Sequence, residues 1–213
     1  KGLKKVIPNK NKRYRHIVEN MLYVCELQAK NMFIFHCIFD RPNIFELNTF
    51  YGSFVSNEFD SHMKDVWGVD KFDIVIANPP YQQGLHIKFF NKCFDILKND
   101  GHNLFIHPSQ PFLNKKLTKK SKEEIKIVDI VNQNKSIIEL VDGNKIFLGV
   151  GFFLPISITY VVKTKSNDIN IIYRHFNMDE PKYDVVKSVD DIFLHRPVIC
   201  SSTIILFDDD CFS

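Results

Sequence analysis

The run Phe72-Asp73-Ile74-Val75-Ile76-Ala77 constrains this chain more than any other segment. It is nearly continuously apolar, rich in β-branched residues, and too short for a buried helix. Such a run reads as a strand of a parallel sheet, buried on both faces. Asn78-Pro79-Pro80-Tyr81 follows at once. Two prolines cannot continue a ladder, so the strand ends at Ala77 and the next residues form a stiff loop.

The pattern on either side alternates. Lys10 to Asn20 reads as a helix, Met21 to Cys25 as a strand and Glu26 to Phe35 as a helix. A strand lies around Phe45 to Tyr51, and Asn57 to Trp67 reads as a loop or short helix. After the Asn78 loop, Leu85 to Lys98 is an amphipathic helix stopped by Asn99-Asp100-Gly101. Leu104 to His107, Lys135 to Val141 and Ile156 to Val162 read as strands, with a helix over Lys119 to Asn132. Ile169 to Tyr173 and Thr203 to Phe207 read as strands of a further region. No internal repeat is present. Strands separated by helices imply an α/β fold with a mostly parallel sheet flanked by helices. Ligands of such sheets sit beyond the carboxyl ends of the strands. Glu26, Ser53, Asn78 and His107 then share one rim.

Composition excludes several classes. Of 213 residues, 45% are hydrophobic and 25% charged, a globular balance that argues against overall disorder. The net charge of +3 is small, but it is unevenly spread. Lys1 to Arg15 holds seven basic residues and no acidic one, and Lys115 to Lys126 holds six lysines against Glu123 and Glu124. Basic patches of this kind steer polyanions, or else form solvated faces. Cysteines 25, 37, 93, 200 and 211 make no CxxC pair, so neither a disulfide framework nor a metal site is expected. Ile146 to Val162 is broken by Gly149, Gly151 and Pro155, and no membrane span or signal peptide is expected. The expected setting is the cytoplasm.

The Asn78 loop has a definite chemical capacity. An exocyclic amino nitrogen is a poor nucleophile because its lone pair is delocalised into the ring or carbonyl beside it. Acceptors that take its hydrogens help that lone pair localise. Asn78 offers a carboxamide oxygen and Pro79 a backbone carbonyl. Pro80 carries no competing N–H. Tyr81 offers a flat face for a base taken out of its duplex.

With its preceding strand, Asn78-Pro79-Pro80-Tyr81 resembles the amino-group methyltransferases, specifically the adenine-N6 DNA methyltransferases of restriction–modification systems. The resemblance covers roughly Lys1 to Lys163. It implies a Rossmann-like S-adenosylmethionine-dependent methyltransferase fold, with residues 1–164 as catalytic domain. Residues 165–213 would begin a target-recognition or C-terminal region. It implies S-adenosylmethionine as cofactor and double-stranded DNA as partner, alongside a restriction or specificity component. Asn20 to Leu27 matches the family's second strand, which makes Glu26, with Leu27 beside it, the carboxylate for the cofactor ribose. A carboxylate suits a diol because it accepts two hydrogen bonds. A helix N-terminal charge is the plainer role for Glu26. Tyr51-Gly52-Ser53-Phe54 matches the segment near the cofactor's adenine, with Ser53 where an aspartate is usual and Phe54 against the ring. His107 matches a rim position without catalytic duty. Phe147 and Phe152 are the aromatics placed to face the flipped base, with Phe153 a further candidate.

One departure is plain. The family's glycine-rich cofactor loop should precede Met21, and none does. Leu148-Gly149-Val150-Gly151 lies too late and has Leu154 where a third glycine belongs. The resemblance therefore implies a chain that lacks the loop and the first, central strand. A gap would then separate the Met21 and Phe72 strands, leaving backbone groups unpaired, and the chain alone would bind cofactor weakly. Two other readings stay open: methylation of a protein glutamine or an RNA base, which poses the same chemical problem, and a non-catalytic remnant that binds nucleic acid.

Overall fold

The computed structural model describes residues 2–39, 45–113, 121–141, 156–165, 171–174, 183–186 and 188–189. They form two compact units that divide between Asp70 and Lys71.

The first unit comprises α1 (Gly2–Val6), α2 (Lys10–Asn20), β1 (Tyr23–Glu26), α3 (Ala29–Phe39), β2 (Asn48–Tyr51) and α4 (Asn57–Asp65). Local chemistry sets the helix starts. Asn9 Oδ1 accepts from the Lys12 N–H at 3.0 Å, and Ser56 Oγ accepts from the Phe59 N–H at 3.2 Å. Each satisfies a donor that the first helical turn leaves open. β1 and β2 pair in parallel, with Glu26 opposite Tyr51. Their core is aromatic: buried Phe59 meets the rings of Phe50, Phe54 and Trp67 at 5.5, 4.9 and 5.9 Å.

The second unit is built on a six-stranded sheet of order β3-β4-β6-β5-β7-β8. The strands are β3 (Phe72–Ala77), β4 (Leu97–Pro108), β5 (Asn134–Val141), β6 (Ile156–Lys165), β7 (Ile171–Arg174) and β8 (Tyr183–Val186). A 3-10 turn (Gln82–Gly84), α5 (Leu85–Asp95), α6 (Gln110–Leu113) and α7 (Lys122–Gln133) complete it. Ser121 and Glu124 form a reciprocal capping box at the start of α7. β7 extends the sheet by pairing in parallel with β5. Among the described residues, β1 and β2 form a two-stranded sheet of their own.

The α/β class is as expected, but the sheet is mixed. β3 and β4 pair in parallel, whereas β6 runs antiparallel to both β4 and β5. β5 and β6 are consecutive neighbours, and antiparallel pairing needs no crossover helix. Two residue sets separate cleanly across the register. Phe105, Thr159 and Ile138 lie side by side and are fully buried, as are Asn103, Val161 and Ser136. Phe90 of α5 packs on Phe105 at 5.1 Å, so the helix covers this face. On the other face lie Ile74, Ile76, Leu104 and Ile137. Ile74 is 60% exposed and Ile76 71%, so β3 is not buried on both faces as its sequence suggests. Continuous hydrophobicity reports what a strand can bury, whereas a cover on each side is a tertiary property.

Asn99-Asp100-Gly101 does not stop the helix; it is a bulge inside β4. Phe72 pairs with Leu97, yet Ile74 pairs with His102, and Asp100 takes a left-handed φ of 59°. Thr164 Oγ1 holds Asp100 Oδ1 at 2.6 Å. α5 ends earlier, where the Lys163 ammonium donates to the carbonyls of Phe94 and Leu97 at 2.8 and 3.0 Å. Gly101 is required by space: a Cβ there would lie 2.9 Å from the Lys98 carbonyl oxygen and 3.2 Å from that of Asp73. Gly101→Ala is expected to destabilise the chain by about 1–3 kcal/mol through this overpacking. Denaturant midpoints measure it, and an unchanged midpoint would contradict the tight approach of β3 and β4.

Candidate functional site

Asn78 leaves the carboxyl end of β3 exposed to solvent, followed by buried Pro79, exposed Pro80 and half-buried Tyr81. The sequence brings these together by adjacency, and the fold adds a specific contact. The Tyr81 hydroxyl donates to Asn78 Oδ1 at 2.9 Å. Partial burial raises the Tyr81 phenol pKa, so the hydroxyl keeps its proton and acts as donor. Behind Tyr81 the chain makes a tight reversal through Gln83 (φ 51°) and Gly84 (φ 70°). Two consecutive left-handed residues, one of them not glycine, are a strained arrangement. The reversal starts α5 so that its second residue, His86, comes back under Tyr81, ring edge to face at 6.2 Å.

His86 was not singled out by sequence, although a signal existed. It occupies the same helical stripe as Phe90 and Cys93, all three buried. Its pKa is lowered by burial, an effect opposed by the Tyr81 backbone and by Glu124. Its ring stacks on His107 at 6.3 Å.

His107 is not the rim residue its place after a short strand suggests; it is fully buried. It lies on the helix-covered face of β4, between Phe90, Phe105 and Phe112 at 5.6, 5.5 and 5.3 Å. Its protonation pattern follows from its partners. Nδ1 lies 2.9 Å from the Pro108 carbonyl oxygen, which can only accept, so Nδ1 carries the hydrogen. Nε2 therefore accepts from the Thr159 hydroxyl at 2.9 Å, and Thr159 in turn accepts from Ser157 at 2.9 Å. The ring is neutral, its pKa lowered to about 3, first by burial and then by the neighbouring His86.

In the first unit, Glu26 ends β1 with both carboxylate oxygens engaged. Oε1 accepts from the Gln28 N–H at 2.8 Å and Oε2 from the Asn31 side chain at 3.3 Å. The Gln28 bond lies just ahead of α3, so Glu26 does serve the helix N-terminus. Each oxygen nevertheless retains acceptor capacity. The Gly52 N–H donates to the Glu26 carbonyl at 3.0 Å, which sets Glu26 and Ser53 beside the same end of the parallel pair. Leu27 is exposed, Ser53 is half-buried, and Phe54 packs on Phe59 as part of the aromatic core. Phe147, Phe152 and Phe153 lie outside the described residues, as do His195 and Cys200. Among the described residues, no cluster of His, Cys, Asp and Glu could hold a metal, and no helix is long and apolar enough to cross a membrane.

No protein-family model matches the chain, and no curated protein matches it in sequence. Solved structures do match in fold. A modification subunit of a putative type I restriction enzyme from Vibrio vulnificus YJ016 superposes with a TM-score of 0.57 at 11% identity, covering 89% of this chain and 43% of that one. A nuclease-deletion mutant of the Type ISP restriction-modification enzyme LlaGI, in complex with a DNA substrate mimic, gives 0.56 at 13% identity over 90% of this chain and 24% of that one. The M protein of the Type I restriction enzyme EcoKI gives 0.53 at 13% identity over 80% and 39%. The chain thus spans less than half the length of each. Its α/β fold is shared with these restriction–modification proteins.

Proposed function

We propose that this chain carries the active-site part of a DNA methyltransferase that moves a methyl group from S-adenosylmethionine to N6 of a flipped-out adenine. The observation that carries the reading is Asn78-Pro79-Pro80-Tyr81 at the carboxyl end of β3, the position where open α/β sheets bind ligands. In this reading the Asn78 carboxamide oxygen and the Pro79 carbonyl take the two amino hydrogens, and Tyr81 stacks on the base. The work of these groups is to hold and polarise the amino nitrogen. Glu26 fits the cofactor ribose by its acceptors: a carboxylate fixed by Gln28 and Asn31, with lone pairs left for a diol. Ser53 beside it would accept one hydrogen bond from the cofactor's adenine end. When bound, S-adenosylmethionine supplies an electrophilic methyl group. The basic side chains of Lys4, Lys5, Lys10 and Lys12 on α1 and α2 suit a phosphate backbone.

The test is incubation of the chain, and of any longer protein that contains it, with isotopically labelled S-adenosylmethionine and unmethylated DNA. Label in N6-methyladenine is the expected result. Label in a release-factor protein or in RNA instead would replace DNA as the substrate.

A further inference from the structure

We propose that Tyr81 is a positioning residue for Asn78, its hydroxyl fixing which atom of the carboxamide faces the amino group to be methylated. The inference rests on the methyltransferase reading above and goes beyond the stacking role of the Tyr81 ring. An exposed carboxamide can present either its oxygen or its NH2, and the two differ by a simple flip about the last side-chain bond. Only the oxygen can accept a hydrogen from an amino group. In this structure the Tyr81 hydroxyl donates to Oδ1 at 2.9 Å and so ties the carboxamide to the tyrosine. One oxygen accepts two hydrogen bonds, which leaves a second lone pair for the amino hydrogen.

A positioning group must itself be held, and Tyr81 is. Its ring rests on the buried His86 at 6.2 Å, and His86 is stacked on the fully buried His107. The reversal at Gln83 and Gly84 brings His86 to that place at the expense of a left-handed Gln83. The strained reversal and the buried ring both lie behind one tyrosine, so what they secure is the placement of that tyrosine. The pair Tyr81–Asn78 is thereby organised before a base arrives, which is when fixed dipoles are most effective.

The experiment compares Tyr81→Phe with the parent chain in labelled methyl transfer to unmethylated genomic DNA. The phenylalanine keeps the stacking face and removes only the hydroxyl. The expected result is a fall in kcat of about five- to tenfold, the range of one net hydrogen bond, with KM for DNA within about twofold. Tyr81→Ala should lower kcat and raise KM together. An unchanged kcat in Tyr81→Phe overturns the proposal, and so does a rise in KM alone, which would place the hydroxyl on the substrate rather than on Asn78. A second measurement needs no turnover. In an alkaline ultraviolet titration, Tyr81→Phe identifies the Tyr81 step, and Asn78→Ala should move that step to lower pH because the acceptor that favours the protonated phenol is gone. An unmoved step overturns the proposal even if the chain methylates DNA. A moved step with no transfer to any DNA, by the chain or by any longer protein that contains it, leaves the Tyr81–Asn78 link standing and removes the methyltransferase reading instead.

Discussion

Asn78→Ala is expected to reduce methyl transfer by a factor of about 10² to 10³, the range found when one pre-aligned polar group is removed from a reacting centre. The substitution removes the oxygen that takes one amino hydrogen, and it leaves β3 and the prolines in place. It also leaves the hydrogen bonds of Glu26, which belongs to the other unit. Cofactor affinity, read by calorimetry, should therefore stay within about twofold while single-turnover transfer collapses. Folding is not at risk, because Asn78 is exposed and its side chain meets only the Tyr81 hydroxyl among the hydrogen bonds described. Turnover that survives in Asn78→Ala would remove Asn78 from the chemistry. Lost transfer together with lost cofactor binding would point to a structural role.

The second large effect concerns acid. His107 is buried neutral with a pKa lowered to about 3, against about 6.5 in an unfolded chain. The unfolded state therefore binds the proton more readily. The stability contributed by the neutral ring is fully present above about pH 6.5 and is lost as pH falls toward 3. The slope approaches about 1.4 kcal/mol per pH unit below pH 6.5, so on the order of 2 kcal/mol is lost on going from pH 6.5 to 4.5. His86, also lowered by burial, adds to the loss in the same direction. For a domain of ordinary marginal stability this is a large fraction of the total. Urea midpoints measured between pH 7.5 and 4.5 should show the decline, and His107→Gln should flatten it. A midpoint indifferent to pH over that interval would mean that His107 is not held neutral in the fold.

The local elements were legible in sequence and the long-range ones were not. α2 over Lys10–Asn20 and β3 over Phe72–Ala77 match their sequence readings because periodicity and terminating residues lie within the segments themselves. The Asn78 loop was legible for the same reason. Asn99-Asp100-Gly101 misled because turn-forming residues also make bulges, and here the deciding partner, Thr164, is 64 positions away. The exposure of Ile74 and Ile76 was hidden because it depends on what packs against β3. His107 looked like a rim residue from its place at a strand end. Alternation along β4 instead turns it to the same face as Phe105, under α5. His86 could have been found as the polar member of the apolar stripe on α5, but its place beneath Tyr81 depends on a reversal at Gln83 that no residue type announces.

The position of β6 has a consequence for the chain as it is made. β4 and β5 do not pair with each other; each pairs with β6, the later strand, which sits between them. A ribosome releases β3, β4 and α5 first, then α7 and β5, and all must wait for Ile156–Lys165 before the middle of the sheet can close. During that interval the hydrogen-bonding edges of β4 and β5 are open to other chains. The middle of the sheet is closed by the last-made of these three strands, so that part of unit two cannot form until Lys165 has been made.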